Sequence, residues 1–209
     1  QNIENIMLPA TTLGEHCYES MSAWCSSITT APALPATTLA SYCYYYMFYD
    51  CTSLTAAPEL PATTLAVSCY NSMFSRCTSL TAAPELPATT LASYCYGGMF
   101  SGCKSLTTAP QLPATTLAPT CYAAMFYGCT NLEEALIGES VTYIKNYAFY
   151  ACTNLSYVNI PEGITSIGAN AFPKTVADVF YSGSEESWAK VATYANAIPE
   201  TALIHYNAI

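Results

Sequence analysis

The chain has 209 residues, of which 52% are hydrophobic and only 9% are charged, and its formal net charge is −9. The five basic residues do not cluster: they are Arg76, Lys104, Lys145, Lys174 and Lys190. Nucleic-acid binding needs clustered positive charge, and a bilayer span needs about 18 consecutive apolar residues. Because the sequence has neither, we exclude a nucleic-acid partner and membrane insertion of this segment.

A hexapeptide, Leu-Pro-Ala-Thr-Thr-Leu, recurs at a constant 26-residue spacing along the first half of the chain. Its five copies begin at Leu8, Leu34, Leu60, Leu86 and Leu112. A fixed period of about 20 to 50 residues indicates a solenoid of stacked rungs. A shorter, 23-residue step then leads from Phe126 to Phe149 and from Phe149 to Phe172. We predict one array over residues 1–172, with 26-residue repeats from 8 to about 136 and 23-residue repeats to 172. Residues 173–209 then form a C-terminal cap.

Within each long repeat, the apolar spacing predicts a strand, a Pro-rich turn, a short helix and a second turn. The helical stripe of the second repeat consists of Leu39, Cys43, Met47 and Cys51. Either Thr37 or Thr38 is expected to cap this helix, and Asp50 falls where a helix end often needs a positive φ. Residues 54–57 are the expected strand, which Pro58 ends because proline has no N–H to donate. The shorter repeats are expected to have a slightly shorter helix, since three residues are close to one turn of ~3.6 residues.

The shorter repeats carry a specific family resemblance. The segment from Ile144 to Pro161 has the pattern Ile-x-x-x-x-Ala-Phe-x-x-Cys-Thr-Asn-Leu-x-x-Val-x-Ile-Pro. It resembles the repeat of the BspA-type leucine-rich-repeat proteins, and the Met-Phe-x-x-Cys-Thr-Ser-Leu units resemble its 26-residue variant. The resemblance implies an α/β repeat: a right-handed leucine-rich-repeat solenoid with short parallel strands on the concave side and short helices on the convex side. The C-terminal residues resemble the strand–helix–strand element that closes such arrays, in which Trp188 and Val191 would cover the last apolar face.

The same resemblance implies a location and a class of partner. BspA-type proteins are typically exported, so we expect an extracellular chain or one on the bacterial cell surface. The start at Gln1 favours a processed or truncated chain that continues upstream. The implied partners are host extracellular-matrix proteins or other cell-surface proteins, and no cofactor is implied.

The cysteine columns predict buried free thiols and not a disulfide framework. Cys43 and Cys51, placed on one helix, would lie about 12 Å apart along its axis. A disulfide requires Cα atoms within about 7 Å, and adjacent helices would be about 8–10 Å apart. The column that begins at Cys25 lies nearer the closely spaced strands, so its pairing is left open.

Catalytic and metal sites find little support in the sequence. His16 and His205 are expected at opposite ends of the solenoid, far from most cysteines, so none of those thiols has a nearby base. The Cys-x7-Cys spacing differs from the short spacing of zinc sites, and no acidic calcium-binding loop is present. We predict no enzyme activity and no metal.

Two surfaces are candidates for recognition. Alternation in the strands places Glu134, Tyr157 and Asn159 on the concave face, with Glu133 nearby, after four rungs that offer only Thr, Ala and Pro there. These residues favour a cell-surface or secreted adhesion module that binds proteins along an extended face. The alternative is a carbohydrate-binding surface built on Tyr45 and Tyr46, because aromatic rings can stack on sugars. A purely structural spacer is the third hypothesis.

Overall fold

The fold consists of rungs joined by short parallel ladders. The computed structural model describes residues 6–135 and 137–208. Its regular elements, in chain order, are β1 (Tyr143–Ile144), β2 (Tyr157–Ile160), β3 (Ser166–Ile167), β4 (Asp178–Tyr181), α1 (Glu185–Trp188), β5 (Ala192–Thr193) and β6 (Leu203–His205). They form two parallel sheets, of order β1-β3-β5 and β2-β4-β6. Earlier rungs meet through single parallel bridges, which include Thr30–Ala56, Ala56–Ala82 and Thr108–Glu134. The expectation of short parallel strands is confirmed.

The predicted helices of the repeats are wrong, because consecutive turns occupy their place. Within the second rung, the N–H groups of Cys43 and Met47 donate to carbonyls three residues earlier, at 3.3 and 3.2 Å. Alternate N–H groups donate to the next rung instead: that of Tyr44 to the carbonyl of Cys69 at 3.0 Å and that of Tyr46 to the carbonyl of Asn71 at 3.1 Å. A positive φ recurs every fourth residue, at Tyr42 (59°), Tyr46 (54°) and Asp50 (57°). A type II turn requires this conformation at its third residue, so the rung is a chain of turns.

The exact four-residue spacing explains both the structure and the error. A helix advances about 100° per residue, so residues four apart drift by about 40° per step and by about 120° from Leu39 to Cys51. A four-residue turn unit has no such drift and returns every fourth side chain to the core. The adjacent pairs Cys43–Tyr44 and Met47–Phe48 are accordingly all buried.

The threonines expected to cap helices have another position. Thr37 and Thr38 are exposed, and the N–H groups of both donate to the carbonyl of Thr11, at 3.0 and 3.2 Å. Equivalent bridges join Thr64 to Thr90 and Thr90 to Thr116. The hexapeptide therefore forms a second parallel ladder between rungs, and the capping prediction is wrong.

The core is built from columns of identical side chains. Phenylalanine rings of successive rungs stack with centroids 5.4 to 5.9 Å apart, and the buried tyrosines stack similarly. The cysteine column that begins at Cys25 is hydrogen-bonded to the backbone. The thiol of Cys77 donates to the carbonyl of Phe48 at 3.1 Å, and the thiol of Cys103 donates to the carbonyl of Phe74 at 3.1 Å. All eleven cysteines are free and nine are buried, as predicted, while Cys17 is exposed and Cys25 half-buried.

The C-terminal elements continue the array. Strand β4 pairs with β2 over four residues, and β6 pairs with β4 over three. Helix α1 is capped by the hydroxyl of Ser184, which accepts a hydrogen bond from the N–H of Ser187. Trp188 packs at 4.9 Å against Tyr181, and both Trp188 and Val191 lie against the core. The boundary at residue 172, the right-handed coil and its concave curvature stay predictions.

Candidate recognition surfaces

The sheet β2-β4-β6 forms one face of the last rungs, which we call the strand face. In the described residues of this sheet, two rows of outward side chains cross it. The first row is Tyr157, Asp178 and Leu203, and the second is Asn159, Phe180 and His205. Glu134 precedes Tyr157 by one 23-residue rung and occupies the equivalent position, bridged to Thr108. We define the strand-face patch as Glu134, Tyr157, Asn159, Asp178, Phe180 and His205.

Contacts within the patch fix the orientation of its side chains. The ring of Phe180 stacks on that of His205 at 4.7 Å and meets the edge of Tyr157 at 6.2 Å. The Nε2 atom of His205 lies 2.7 Å from Oδ1 of Asp178. Aromatic side chains that are already ordered lose less conformational entropy when a partner binds.

Two cavities adjoin the patch at the end of β2. The first has a volume of about 250 Å³ and is lined by Ile137, Glu139, Asn159, Ile160, Pro161, Phe180, Ser182 and Ala208. The second, of about 210 Å³, is lined by Gln111, Leu112, Ala135, Ile137, Gly138, Glu139 and Asn159. Because Ile137, Glu139 and Asn159 line both, the cavities are neighbours.

The structure brings together some of the predicted residues. Tyr157 and Asn159 share the outward face of β2, with Glu134 one rung away. Glu133 is exposed beside Glu134, and its N–H donates to the carbonyl of Thr107 at 2.9 Å. Sequence reasoning missed Asp178, Phe180 and His205, although the alternation of β4 and β6 could have extended the same column into the cap.

Tyr45 and Tyr46 lie on another face, formed by the chain of turns, which we call the turn face. Their rings meet edge to face at 4.3 Å. The contacts continue to further aromatic side chains at 4.9 to 5.7 Å, and the resulting turn-face cluster consists of His16, Trp24, Tyr42, Tyr45, Tyr46 and Tyr49. Burial and a hydrogen bond with Tyr46 raise the pKa of Tyr45 to about 12, so its phenol is neutral at pH 7. The neighbouring Tyr44 is buried in the core stack and contributes no surface.

A cation borders the turn-face cluster. The guanidinium of Arg76 lies 6.0 Å from the ring centre of Tyr49, and its Nε is 3.2 Å from Oδ1 of Asp50. Two and three rungs further on, the positions of Tyr45 and Tyr46 hold small residues: Gly97 and Gly98, then Ala123 and Ala124. The turn-face cluster therefore belongs to the first two rungs, and a separate group of touching rings, Tyr127, Tyr147 and Tyr150, lies on the turn face of later rungs.

Reactive groups are poorly placed for chemistry. No group of three potential metal-ligating side chains occurs within residues 6–135 and 137–208. Burial raises the pKa of Cys51 to about 12 and that of Cys103 well above its usual value, so these thiols stay protonated and unreactive. His16 contacts Glu19, and His205 contacts Asp178. In the same described residues, no helix is long and apolar enough to cross a membrane.

Stacked rungs that bury columns of leucine, phenylalanine and cysteine beside parallel strands define a leucine-rich-repeat solenoid. The chain belongs to the family of the BspA type leucine rich repeat region, whose model matches residues 1–116 and 89–184 with six copies. Proteins of this class are interaction modules.

Comparison with one solved structure supports the fold. A leucine rich cell surface protein from Faecalibacterium prausnitzii is 20% identical, with a TM-score of 0.54 over 81% of this chain and 52% of that chain. A leucine-rich repeat protein from Eubacterium ventriosum is 24% identical, with a lower TM-score of 0.48 over 71% of this chain and 41% of that chain. The chain thus spans about half the length of these proteins or less. No curated protein matches it significantly.

Proposed function

We propose that this chain is a protein-recognition module of a bacterial surface protein, which binds its partner through the strand-face patch and performs no catalysis. The observation that carries the proposal is the register of β2, β4 and β6, which sets Tyr157, Asn159 and Phe180 side by side. The strand face of the earlier rungs has Thr30, Ala56 and Thr108 in the corresponding bridges. A surface location is supported by the family and by the description of the F. prausnitzii relative as a cell surface protein.

The physical basis is a small set of aromatic anchors on a rigid scaffold. Aromatic residues near the centre of an interface commonly carry most of the binding energy. Tyr157 and Phe180 are half-buried and touch each other, and Phe180 also stacks on His205, so each has little freedom left to lose. Repeated copies on a cell surface would add avidity to such modest contacts.

The test is binding to immobilised matrix proteins and other cell-surface proteins, measured for the chain and for two double variants. Tyr157→Ala with Phe180→Ala should weaken binding about tenfold or more, because it removes both anchors. Tyr127→Ala with Tyr150→Ala is the matched control, since these two rings also touch, at 5.5 Å, but lie on the turn face. Equal losses in both variants would contradict the proposal.

A second candidate function is carbohydrate binding by the turn-face cluster. The observation that favours it is the unbroken contact of six aromatic rings, among which Trp24 is 65% exposed. Aromatic faces with polar edges suit ligands that combine C–H surfaces with hydroxyls.

A glycan array tests this second candidate. Tyr45→Ala with Tyr46→Ala should abolish any glycan signal. Tyr147→Ala is the control, because it removes a tyrosine from the position equivalent to Tyr46 in a rung outside the cluster. Loss of signal in the control alone would refute the cluster as the site. No binding in either the protein screen or the glycan screen would favour the spacer hypothesis.

A further inference from the structure

The two cavities beside Asn159 combine an apolar wall with polar groups that have no partner. Ile137, Ile160 and Phe180 supply the wall, and Glu139 stands in the lining of both cavities. Both Glu139 and Asn159 are exposed, and across the described residues the carboxylate of Glu139 makes no ion pair and the amide of Asn159 makes no side-chain hydrogen bond. A ligand group can therefore take up both without displacing an internal contact.

The charges around the cavities are of one sign. Glu134 and Asp178 lie in the patch and Glu139 in the cavity walls, and none of the described lining residues is Lys or Arg. Among the described lining residues the carboxylate is that of Glu139, while Asp178 lies outside the lining and is engaged by His205. This arrangement favours a cation and disfavours a carboxylate or phosphate.

We propose that these cavities receive an arginine side chain of a protein partner, an inference that rests on the recognition function proposed above. The apolar stem of the arginine packs against Ile137 and Phe180, since long basic side chains bury their methylene groups along apolar surface. The guanidinium donates two parallel hydrogen bonds to the carboxylate of Glu139 and a further one to the amide oxygen of Asn159. Lysine has three donors on one nitrogen and lacks the planar fork that forms two parallel hydrogen bonds with a carboxylate.

A third cavity provides an internal comparison. It has a volume of about 270 Å³ and contains Glu85 and Gln111, but its other residues are Ala83, Pro84, Leu86, Pro87, Pro110 and Pro113. It therefore also offers a carboxylate and an amide, without an aromatic wall or a residue of the strand-face patch, although Gln111 also lines the second cavity. If a carboxylate in a cavity were sufficient to bind arginine, this third cavity would bind it as well.

The experiment is an NMR titration of the full chain, labelled with ¹⁵N, with blocked Gly-Arg-Gly, Gly-Lys-Gly and Gly-citrulline-Gly peptides. The arginine peptide should shift the backbone N–H of Gly138 and the side-chain amide of Asn159, the lysine peptide less, and the neutral citrulline peptide not at all. Glu139→Gln should weaken binding of the arginine peptide about tenfold, because it removes the charge of the acceptor and keeps its shape. Glu85→Gln should leave that affinity unchanged. Since both substitutions fall on carboxylates that make no ion pair among the described residues, thermal unfolding should be the same for both variants and the original chain.

Three results would overturn this inference: equal shifts with the citrulline peptide, stronger shifts around Glu85 than around Gly138, or an unchanged affinity in Glu139→Gln. Its failure is distinguishable from failure of the recognition function. Partner binding that is lost in Tyr157→Ala with Phe180→Ala but kept in Glu139→Gln would refute the arginine site alone. Arginine binding by a chain that captures no protein in the screen would refute the proposed partner class and leave the cavity site in place.

Discussion

Replacing Ala124 by glycine distinguishes a chain of turns from a helix by the sign of its effect on stability. Ala124 has a positive φ of 49°, and so do its equivalents in earlier rungs, Tyr46 (54°) and Gly98 (59°). The left-handed conformation costs an L-residue about 1–2 kcal/mol, which glycine avoids. Glycine loses about 0.5–1 kcal/mol through its greater freedom in the unfolded chain. The net expectation is a gain of about 0.5 kcal/mol, whereas in a helix the same change would cost about 1 kcal/mol.

A double variant makes the effect measurable. Ala151 also has a positive φ, of 61°, so Ala124→Gly with Ala151→Gly should raise the free energy of unfolding by about 1 kcal/mol. For a chain of this size that corresponds to a rise of about 2–4 °C in Tm. The assay is urea unfolding followed by circular dichroism, with a check that the slope m is unchanged.

Ala123→Gly is the matched control, because Ala123 is the preceding residue and lies outside the positive-φ positions. Its substitution should lower the free energy of unfolding by about 0.5–1 kcal/mol. If Ala124→Gly destabilised the protein as much as Ala123→Gly, the left-handed turns would be refuted and the helix prediction restored.

Three further outcomes follow from the buried groups. Burial raises the pKa of Cys43 to about 11, above about 8.5 in the unfolded chain, so stability should be full below pH 8 and fall as pH rises beyond 9. In that range each such thiol lowers the free energy of unfolding by about 1.4 kcal/mol per pH unit. Urea midpoints that stay constant to pH 10 would contradict this expectation. A thiol reagent should modify Cys17 and Cys25 in the native, reduced protein and all eleven cysteines after unfolding; fast reaction of more than two would show that the core is open. Finally, Tyr70→Phe should stabilise the protein by about 1 kcal/mol, since the buried hydroxyl of Tyr70 has no partner among the described residues. Tyr181→Phe should destabilise the protein by a similar amount, because it removes a hydrogen-bonded hydroxyl. A shift of Tm in the same direction for both variants would refute this contrast.

The stacking of rungs could be predicted because it depends on features that every repeat shares. Each rung must bury one Leu, Phe and Cys at a fixed position, so a strict period defines the columns of the core without any knowledge of the local backbone. The backbone between those positions could not be predicted in the same way. A helix and a chain of four-residue turns both place Cys43, Met47 and Cys51 inward, and the two differ in which N–H groups bond to the next rung.

One signal in the sequence does separate these two backbones. Gly98 and Gly102 are four residues apart and have φ values of 59° and 75°. A helix needs such a residue only at its end. Glycine at two successive four-residue positions therefore indicates left-handed residues inside the segment, as a series of type II turns requires.

The limits of predicting the candidate site have a different cause. Glu134, Tyr157 and Asn159 follow from strand alternation within repeats of known length. Phe180 and His205 occupy the same row as Asn159, but the step from Asn159 to Phe180 is 21 residues and the step from Phe180 to His205 is 25, and neither equals a repeat length. A 23-residue period therefore misses Phe180 and reaches His205 only because the two unequal steps add up to two repeats.

The position of both candidate surfaces follows from how a repeat array acquires selectivity. Identical rungs give each face the same side chain at every step, which suits a core column such as Phe48–Phe74–Phe100 but cannot distinguish one partner from another. Selective contacts require neighbouring rungs to differ. On the strand face they differ from Glu134 onward, where acids, an amide and aromatic rings replace Thr and Ala; on the turn face they differ at Tyr45 and Tyr46. Substitutions in the uniform rungs between these two surfaces should therefore change stability far more than binding. Substitutions within the two surfaces should change binding far more than stability.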